Sequence, residues 1–431
     1  MPNNSTSEKI WSFAKVLWPI NRSITGQGTL KTLKIIKEIL PKLKINNVKS
    51  GYKAFDWIVP NEWHINDAYI ITPSGKKICN FKQNNLHVIG YSAPVNKTIS
   101  LELLQDNLYS LPRQSNAIPY VTSYYKKRWG FCITDSERKK LEKGNYKVFI
   151  DSKFIKGKLN YGEIFIRGKT QKEIFISTYV CHPSMANNEI SGPAVTTFLT
   201  KWIEDLKKSN YSYRIVFIPE TIGSLVYLSK NLNKMKKNII AGFIMTCMGD
   251  EKNYSYLPTK YENKYVDKVI TKILKDKEIK YKKFQWSDRG SDERQYSSPG
   301  IDLPVASLIR TKYGEYPEYH TSLDKLGTVV TKKGLMQSLE LIKQCINTME
   351  KNYFPKCRVL GEPMLSKRGL YPDLSIKNNY NKNYNINDIL TWADGTNDLI
   401  DISDRCNLTF NQVYEILETY KVNKLVKKES Y

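Results

Sequence analysis

Of the four histidines in this chain, His182 and His320 stand close to acids. His182 sits in Ser177-Thr178-Tyr179-Val180-Cys181-His182-Pro183, just after the apolar run Ile174-Phe175-Ile176, and Asn188 and Glu189 follow within seven residues. A neutral imidazole and a carboxylate at a strand edge are the donors a hydrolytic zinc site uses. The same pattern also suits a structural histidine at a strand end. Glu220 follows a second hydrophobic run, in Phe217-Ile218-Pro219-Glu220-Thr221-Ile222-Gly223-Ser224. A glutamate at such a strand-to-helix turn can act as a general base, or simply complement the helix dipole. Gly290-Ser291-Asp292-Glu293-Arg294-Gln295-Tyr296 sets two acids beside an arginine, as a substrate clamp or a surface ion pair would. His320, with Tyr319, Thr321 and Asp324 around it, reads as a loop ligand with supporting groups or as a surface loop residue. His64 and His87 have no acid at a convincing ligand spacing and read as structural or surface residues.

These residues need a scaffold. Residues 7–18 and 27–43 read as helices. Residues 55–130 carry short strands and proline-containing loops, which predicts a small β-rich insert. Strands are expected at Tyr146–Ile150, Glu163–Arg167, Glu173–Thr178, Tyr213–Pro219, Ile240–Thr246 and Pro304–Leu308. Helices are expected at Gly192–Lys208, Thr221–Asn231, Lys264–Lys275 and Lys333–Lys351. Such alternation predicts an α/β mixed sheet with helices on both faces. Sites in such sheets lie at the carboxyl ends of strands, where His182, Glu220 and Cys247 fall. The expected α/β domain comprises residues 1–54 and 131–355, followed by a linker over 356–385. Helices at Ile386–Ala393, Leu399–Arg405 and Phe410–Tyr420, with a wing from Leu425, predict a winged helix over 386–431.

Composition narrows the class. The net charge of +25 comes mostly from lysines spread along the chain, which favours solvated faces over base-reading arginines. Seven scattered cysteines without a CxxC pair point to reduced thiols and a cytoplasmic protein. No apolar run reaches transmembrane length, so no membrane partner is expected.

Taken in order, the four segments resemble the M28 family of zinc aminopeptidases. More closely, the chain resembles bacterial aminopeptidase-like proteins of the DUF4910 type. These carry an inserted DUF2172 domain and a C-terminal winged helix, and are described near polysaccharide biosynthesis. Residues 57–63, 124–132, 181–192 and 290–295 carry the closer likeness. The chain departs from M28 at three ligand positions: Asn188 stands for the bridging aspartate, Thr221 for a ligand glutamate, and Cys247-Met248 for Asp-Met. The resemblance therefore implies one zinc ion held by His182, His320 and a carboxylate, Glu189 first, with Asn188 beside it. Glu220 is implied as the base, and Asp292, Glu293, Arg294 and Tyr319 as substrate-binding residues.

The implied activity is cleavage of a peptide or N-acyl amide in a small peptide or amino-sugar-type substrate. The alternative is a degenerate peptidase fold that binds a ligand or regulates through its winged helix. Homo-oligomerisation and protein or DNA contact through that helix are the further partner expectations. The segment Phe410–Tyr420 offers Asn411, Gln412 and Glu415 but no arginine, which weighs against DNA.

Overall fold

The computed structural model describes residues 4–206, 208–370 and 388–429. The chain divides into two compact units. The first runs to Val266 and takes in Tyr281–Ile342, and the second comprises Asp267–Lys280 and the chain from Lys343 onward.

The first unit is built on an eight-stranded mixed sheet. Its centre is parallel, in the order Ser212–Ile218, Glu173–Tyr179, Ile239–Ile244, Val305–Ile309. Strands covered on both faces are mostly apolar and appear in the sequence as near-continuous hydrophobic runs; the buried charges of the first two, Glu173 and Arg214, meet each other at 2.6 Å. Every residue of Ser212–Ile218 and Glu173–Tyr179 is indeed buried. The helices Ser191–Glu204 and Ile222–Asn238 each follow one of these strands. The edges are harder to read. Lys158–Ile166 runs antiparallel to both Lys44–Lys49 and Ser212–Ile218. Lys44–Lys49 buries only Val48, so no apolar pattern announces it.

A second, four-stranded antiparallel sheet has the order Lys77–Ile78, Glu62–Ile71, Asn145–Ile155, Val95–Ser100. Here one expectation is corrected: the strand expected at Tyr146–Ile150 belongs to this sheet and not to the α/β sheet. Its inward residues, Tyr146, Val148 and Ile150, alternate with more exposed ones, as in a sheet covered on one face. The β-rich region thus draws on chain well past residue 130.

In the second unit, Leu399–Arg405 and Phe410–Val422 are helices with reciprocal capping boxes at Asp398 and Thr409. The wing strand Val426–Glu429 pairs antiparallel with Phe354–Cys357. This module therefore begins before the expected linker, because a four-residue strand around Pro355 carries no alternation of its own. The expected Asn-, Lys- and Tyr-rich tract at 377–385 lies outside the described residues, as does the start of the helix expected at Ile386; residues 388–391 are helical. Among the described residues, no helix is long and apolar enough to cross a membrane.

Candidate metal centre

The chemistry-bearing residues of the first unit converge just beyond the parallel strands. His182 lies three residues after Tyr179, Glu220 two after Ile218, and Cys247 three after Ile244. Three residues of this cluster hold left-handed backbones: Thr221 at φ 61°, Cys247 at 48° and His320 at 54°. A β-branched threonine in this region is a costly outlier, and such strain concentrates at functional sites.

Between His182 and the helix Ser191–Glu204 runs a single π-turn, Ala186–Ile190. Asp324 fixes this turn by accepting the amides of Asn187 at 2.7 Å and Asn188 at 3.0 Å. Gly192 follows because a Cβ there would lie 2.4 Å from the Met245 carbonyl oxygen. The turn buries Asn188 and Glu189 completely. Asn188 donates its amide to the Tyr179 hydroxyl at 2.8 Å, while its Oδ1 has no partner.

His182 is gripped at both ring nitrogens. Nδ1 lies 3.0 Å from Glu189 Oε2, and Nε2 lies 3.4 Å from Glu220 Oε2. The two glutamates therefore occupy opposite edges of one imidazole. Arg22, wholly buried, sits behind: its Nε is 3.1 Å from Glu189 Oε1 and donates to the His182 carbonyl at 2.8 Å. Glu220 is anchored through its other oxygen, Oε1, by the Ser291 hydroxyl at 2.6 Å. Its side chain is 23 % exposed while that of Glu189 is 1 %, so Glu220 is the carboxylate that reaches solvent.

The other expected residues separate by location. Asp292 is buried and braces the strained turn, accepting the Thr221 amide at 2.7 Å and the Ser224 hydroxyl at 2.9 Å. Glu293 is buried and accepts the Tyr313 hydroxyl, with Oε2 left unpartnered. Arg294 points to solvent, away from this buried group. Tyr319 stacks on the His320 ring at 3.8 Å, and the His320 and His182 rings stand 5.8 Å apart. Tyr120 meets both histidines edge-on, at 5.4 and 5.1 Å. His64 pairs with Glu62 at 3.1 Å, and His87 Nδ1 lies 2.8 Å from the Cys132 carbonyl.

Burial sets the electrostatics. It pushes Glu220 and Asp292 above the ordinary carboxylate range, each reinforced by neighbouring acids. Burial and then the nearby His182 lower His320 to about 3. Burial also opposes a charge on His182, but Cys181, Glu189 and Glu220 outweigh it, and its pKa lies above the ordinary value.

The expected ligand trio of His182, Glu189 and His320 is not gathered. Among the described residues, the acid, thiol and imidazole donors that approach within 4.8 Å are those of Cys181, His182 and Glu189. That group does not suit a cation. Arg22 already neutralises Glu189, and the Cys181 sulfur accepts the Glu220 amide at 3.1 Å. The Nε2 edge suits one better. Two ligands of one tetrahedral zinc stand about 3.3 Å apart, given bonds of about 2.0 Å, and His182 Nε2 and Glu220 Oε2 are 3.4 Å apart. Each has its remaining polar atom tied by an outer partner, Glu189 or Ser291, as metal ligands commonly do. Sequence reasoning missed Arg22, Ser291 and Tyr120. For Arg22 one signal existed, since arginines number only twelve among 67 basic residues and this one sits in a short loop before a helix.

The first unit is thus a parallel-centred sheet with a histidine–carboxylate cluster at its strand ends. Its fold is shared with a zinc aminopeptidase from Bacillus subtilis, with TM-score 0.59, 13 % identity, and coverage of 80 % of this chain and 94 % of that one. A peptidase M28 precursor from Shewanella amazonensis has the same fold at TM-score 0.56, with 12 % identity over 80 % and 95 % of the two chains. The chain itself belongs to the family described as a domain of unknown function, DUF4910, whose model matches residues 11–352. A winged helix-turn-helix model matches residues 352–428. A Clostridium acetobutylicum relative is 43 % identical over 98 % of this chain and 97 % of its own length. It is provisionally named a polysaccharide biosynthesis protein with an aminopeptidase-like domain. A crystal structure from the same organism, provisionally named a peptidase, matches with TM-score 0.92 and 41 % identity, covering 99 % and 97 % of the chains.

Proposed function

We propose that this chain is a metal-dependent hydrolase that cleaves an amide, peptide or N-acyl, in a small substrate. The observation that carries the reading is the facing pair His182 Nε2 and Glu220 Oε2, each with its far atom anchored. These two residues would hold one divalent ion, with His320 the nearest further imidazole. Zinc bound there would supply Lewis acidity toward an amide carbonyl.

The chain's own groups do the rest. Glu189 keeps the imidazole oriented by holding Nδ1, and Arg22 holds Glu189 in place from behind through Oε1. Tyr120 covers both histidine rings and limits water around them. Two buried carboxylate oxygens here have no donor, Glu293 Oε2 and Asp292 Oδ2; Asp292 is committed to bracing the Thr221 turn, which leaves Glu293 for the role of proton acceptor. A link to polysaccharide biosynthesis fits the name of the Clostridium acetobutylicum relative, and an amino-sugar amide is the substrate we infer from that link.

The test is metal content per chain, measured on protein purified without tag or chelator, together with amide hydrolysis. Wild type is expected to hold about one zinc. His182→Ala and Glu220→Gln are expected to lose it, whereas Glu293→Gln keeps the metal and loses turnover. Wild type that takes up no metal when zinc is supplied would overturn the reading and leave a fold used only for binding.

A further inference from the structure

Two of the segments that carry the family likeness, 57–63 and 124–132, meet outside the centre described above. Lys53–Ala54 and Trp57–Ile58 form a hairpin closed by Phe55 and Asp56. Phe55 has φ 55°, a conformation that a bulky side chain adopts only under constraint. The hairpin leaves Trp57 39 %, Ile58 55 % and Tyr125 57 % exposed. The Trp57 and Tyr125 rings meet edge-on at 5.7 Å, so the aromatic rim is ordered. Tyr125 also lines a cavity of about 310 Å³ with Pro60, Tyr91, Tyr124, Lys126 and Lys127. Neither Lys126 nor Lys127 pairs with a carboxylate among the described residues, and both are exposed. A hydrogen bond ties the cavity wall to the centre: the Tyr124 hydroxyl is 2.8 Å from that of Tyr120, which meets His182 and His320 edge-on.

We propose that this cavity and its rim bind an acidic sugar, a pyranose ring that carries a carboxylate or a phosphate. The C–H face of a pyranose is flat and apolar and suits an exposed indole or phenol, while its hydroxyls need polar neighbours such as Asn61 and Ser123 at the cavity wall. The two unpaired lysines supply the complement to an anion. The cavity lies at the small end of ligand pockets, about 300 to 1,000 Å³. A protein partner would need about 800 Å² on this side, and a nucleic acid would need a longer basic track than two lysines. As a binding site the cavity stands on these observations; that its ligand is also the substrate of the centre rests on the hydrolase reading above.

The experiment is calorimetric titration of the full chain with glucuronic acid, glucose 1-phosphate, glucose and inorganic phosphate, without added metal. One or both acidic sugars are expected to bind at least about tenfold tighter than glucose or phosphate, a difference of about 1.4 kcal/mol. The tighter of the two identifies the anion. Trp57→Ala, and separately Lys126→Ala with Lys127→Ala, should each weaken that binding about tenfold, the lysine pair losing its effect at high salt. His182→Ala should bind the sugars as wild type does, so a failed metal result leaves this one standing, and the reverse. Absence of acidic-sugar binding, phosphate binding as tightly as the tighter acidic sugar, or unchanged affinity in the Trp57 and lysine variants would overturn the proposal.

Discussion

Glu189 holds His182 at Nδ1 from within the core and thereby commits Nε2 to the solvent side, where Glu220 waits. The role is supportive, yet the residue lies only seven positions from the histidine. Replacing Glu189 with Gln keeps an oxygen near Nδ1 but removes the charge that raises ligand basicity. Metal affinity is expected to fall about 10- to 100-fold without changing stoichiometry at saturating zinc. A zinc titration monitored by competition with a chromophoric chelator reads this directly; unchanged affinity would remove Glu189 from the centre's support.

Arg22 and Glu189 are both buried, and removing one leaves the other as an uncompensated charge. Arg22→Met and Glu189→Gln are therefore each expected to cost about 3–5 kcal/mol. The double variant should cost clearly less than their sum, since no charge is left stranded. Urea denaturation of the four proteins tests the cycle. Additive losses would mean that the two groups act on stability separately.

Much of this arrangement was legible in the sequence, and the illegible part has physical causes. The parallel strands announced themselves because burial on both faces demands unbroken apolar runs such as Ile215-Val216-Phe217-Ile218. His182, Glu220, Asp292 and His320 were candidates in the sequence because rare or charged residues stand out at strand ends and in glycine-flanked loops. Which edge of His182 each glutamate would face was not readable. It depends on the π-turn Ala186–Ile190, which Asp324 holds from more than a hundred residues away. Asn145–Ile155 went to the wrong sheet because its alternation gives the strand but not its partner. Phe354–Cys357 was invisible for the same reason, since only pairing with Val426–Glu429 makes it a strand.

His87 makes a pH dependence outside the centre. Burial lowers its pKa below the ordinary histidine value, while the Cys132 carbonyl 2.8 Å from Nδ1 opposes the shift. The folded form thus keeps His87 neutral where the unfolded chain would protonate. Its contribution is fully present above the ordinary value of about 6.5 and is lost as pH falls from there through the folded value. Comparing urea midpoints of wild type and His87→Gln from pH 7.5 down to about 5 isolates this group. The variant is expected to lose less stability over that range; parallel curves would mean that His87 titrates alike in both states.

The winged-helix unit is expected to show no sequence preference toward DNA. The helix Phe410–Val422 turns Phe410, Val413, Leu417 and Tyr420 inward, leaving Asn411, Gln412, Glu415 and Thr419 on its exposed face. That face brings a carboxylate and no guanidinium to a groove where arginine gives the strongest base contacts. The helix N-terminus, the usual place for a phosphate, is already taken: the Phe410 amide donates to Asp276 Oδ2 at 2.8 Å. Any retention of duplex DNA by the strongly basic chain should therefore fade between about 50 and 200 mM salt and be equal for unrelated sequences. A mobility-shift series across salt, run with several duplexes, measures it. A complex that survives about 200 mM salt on one sequence alone would mean that bases are being read, and that Asp276 yields the helix end to a phosphate.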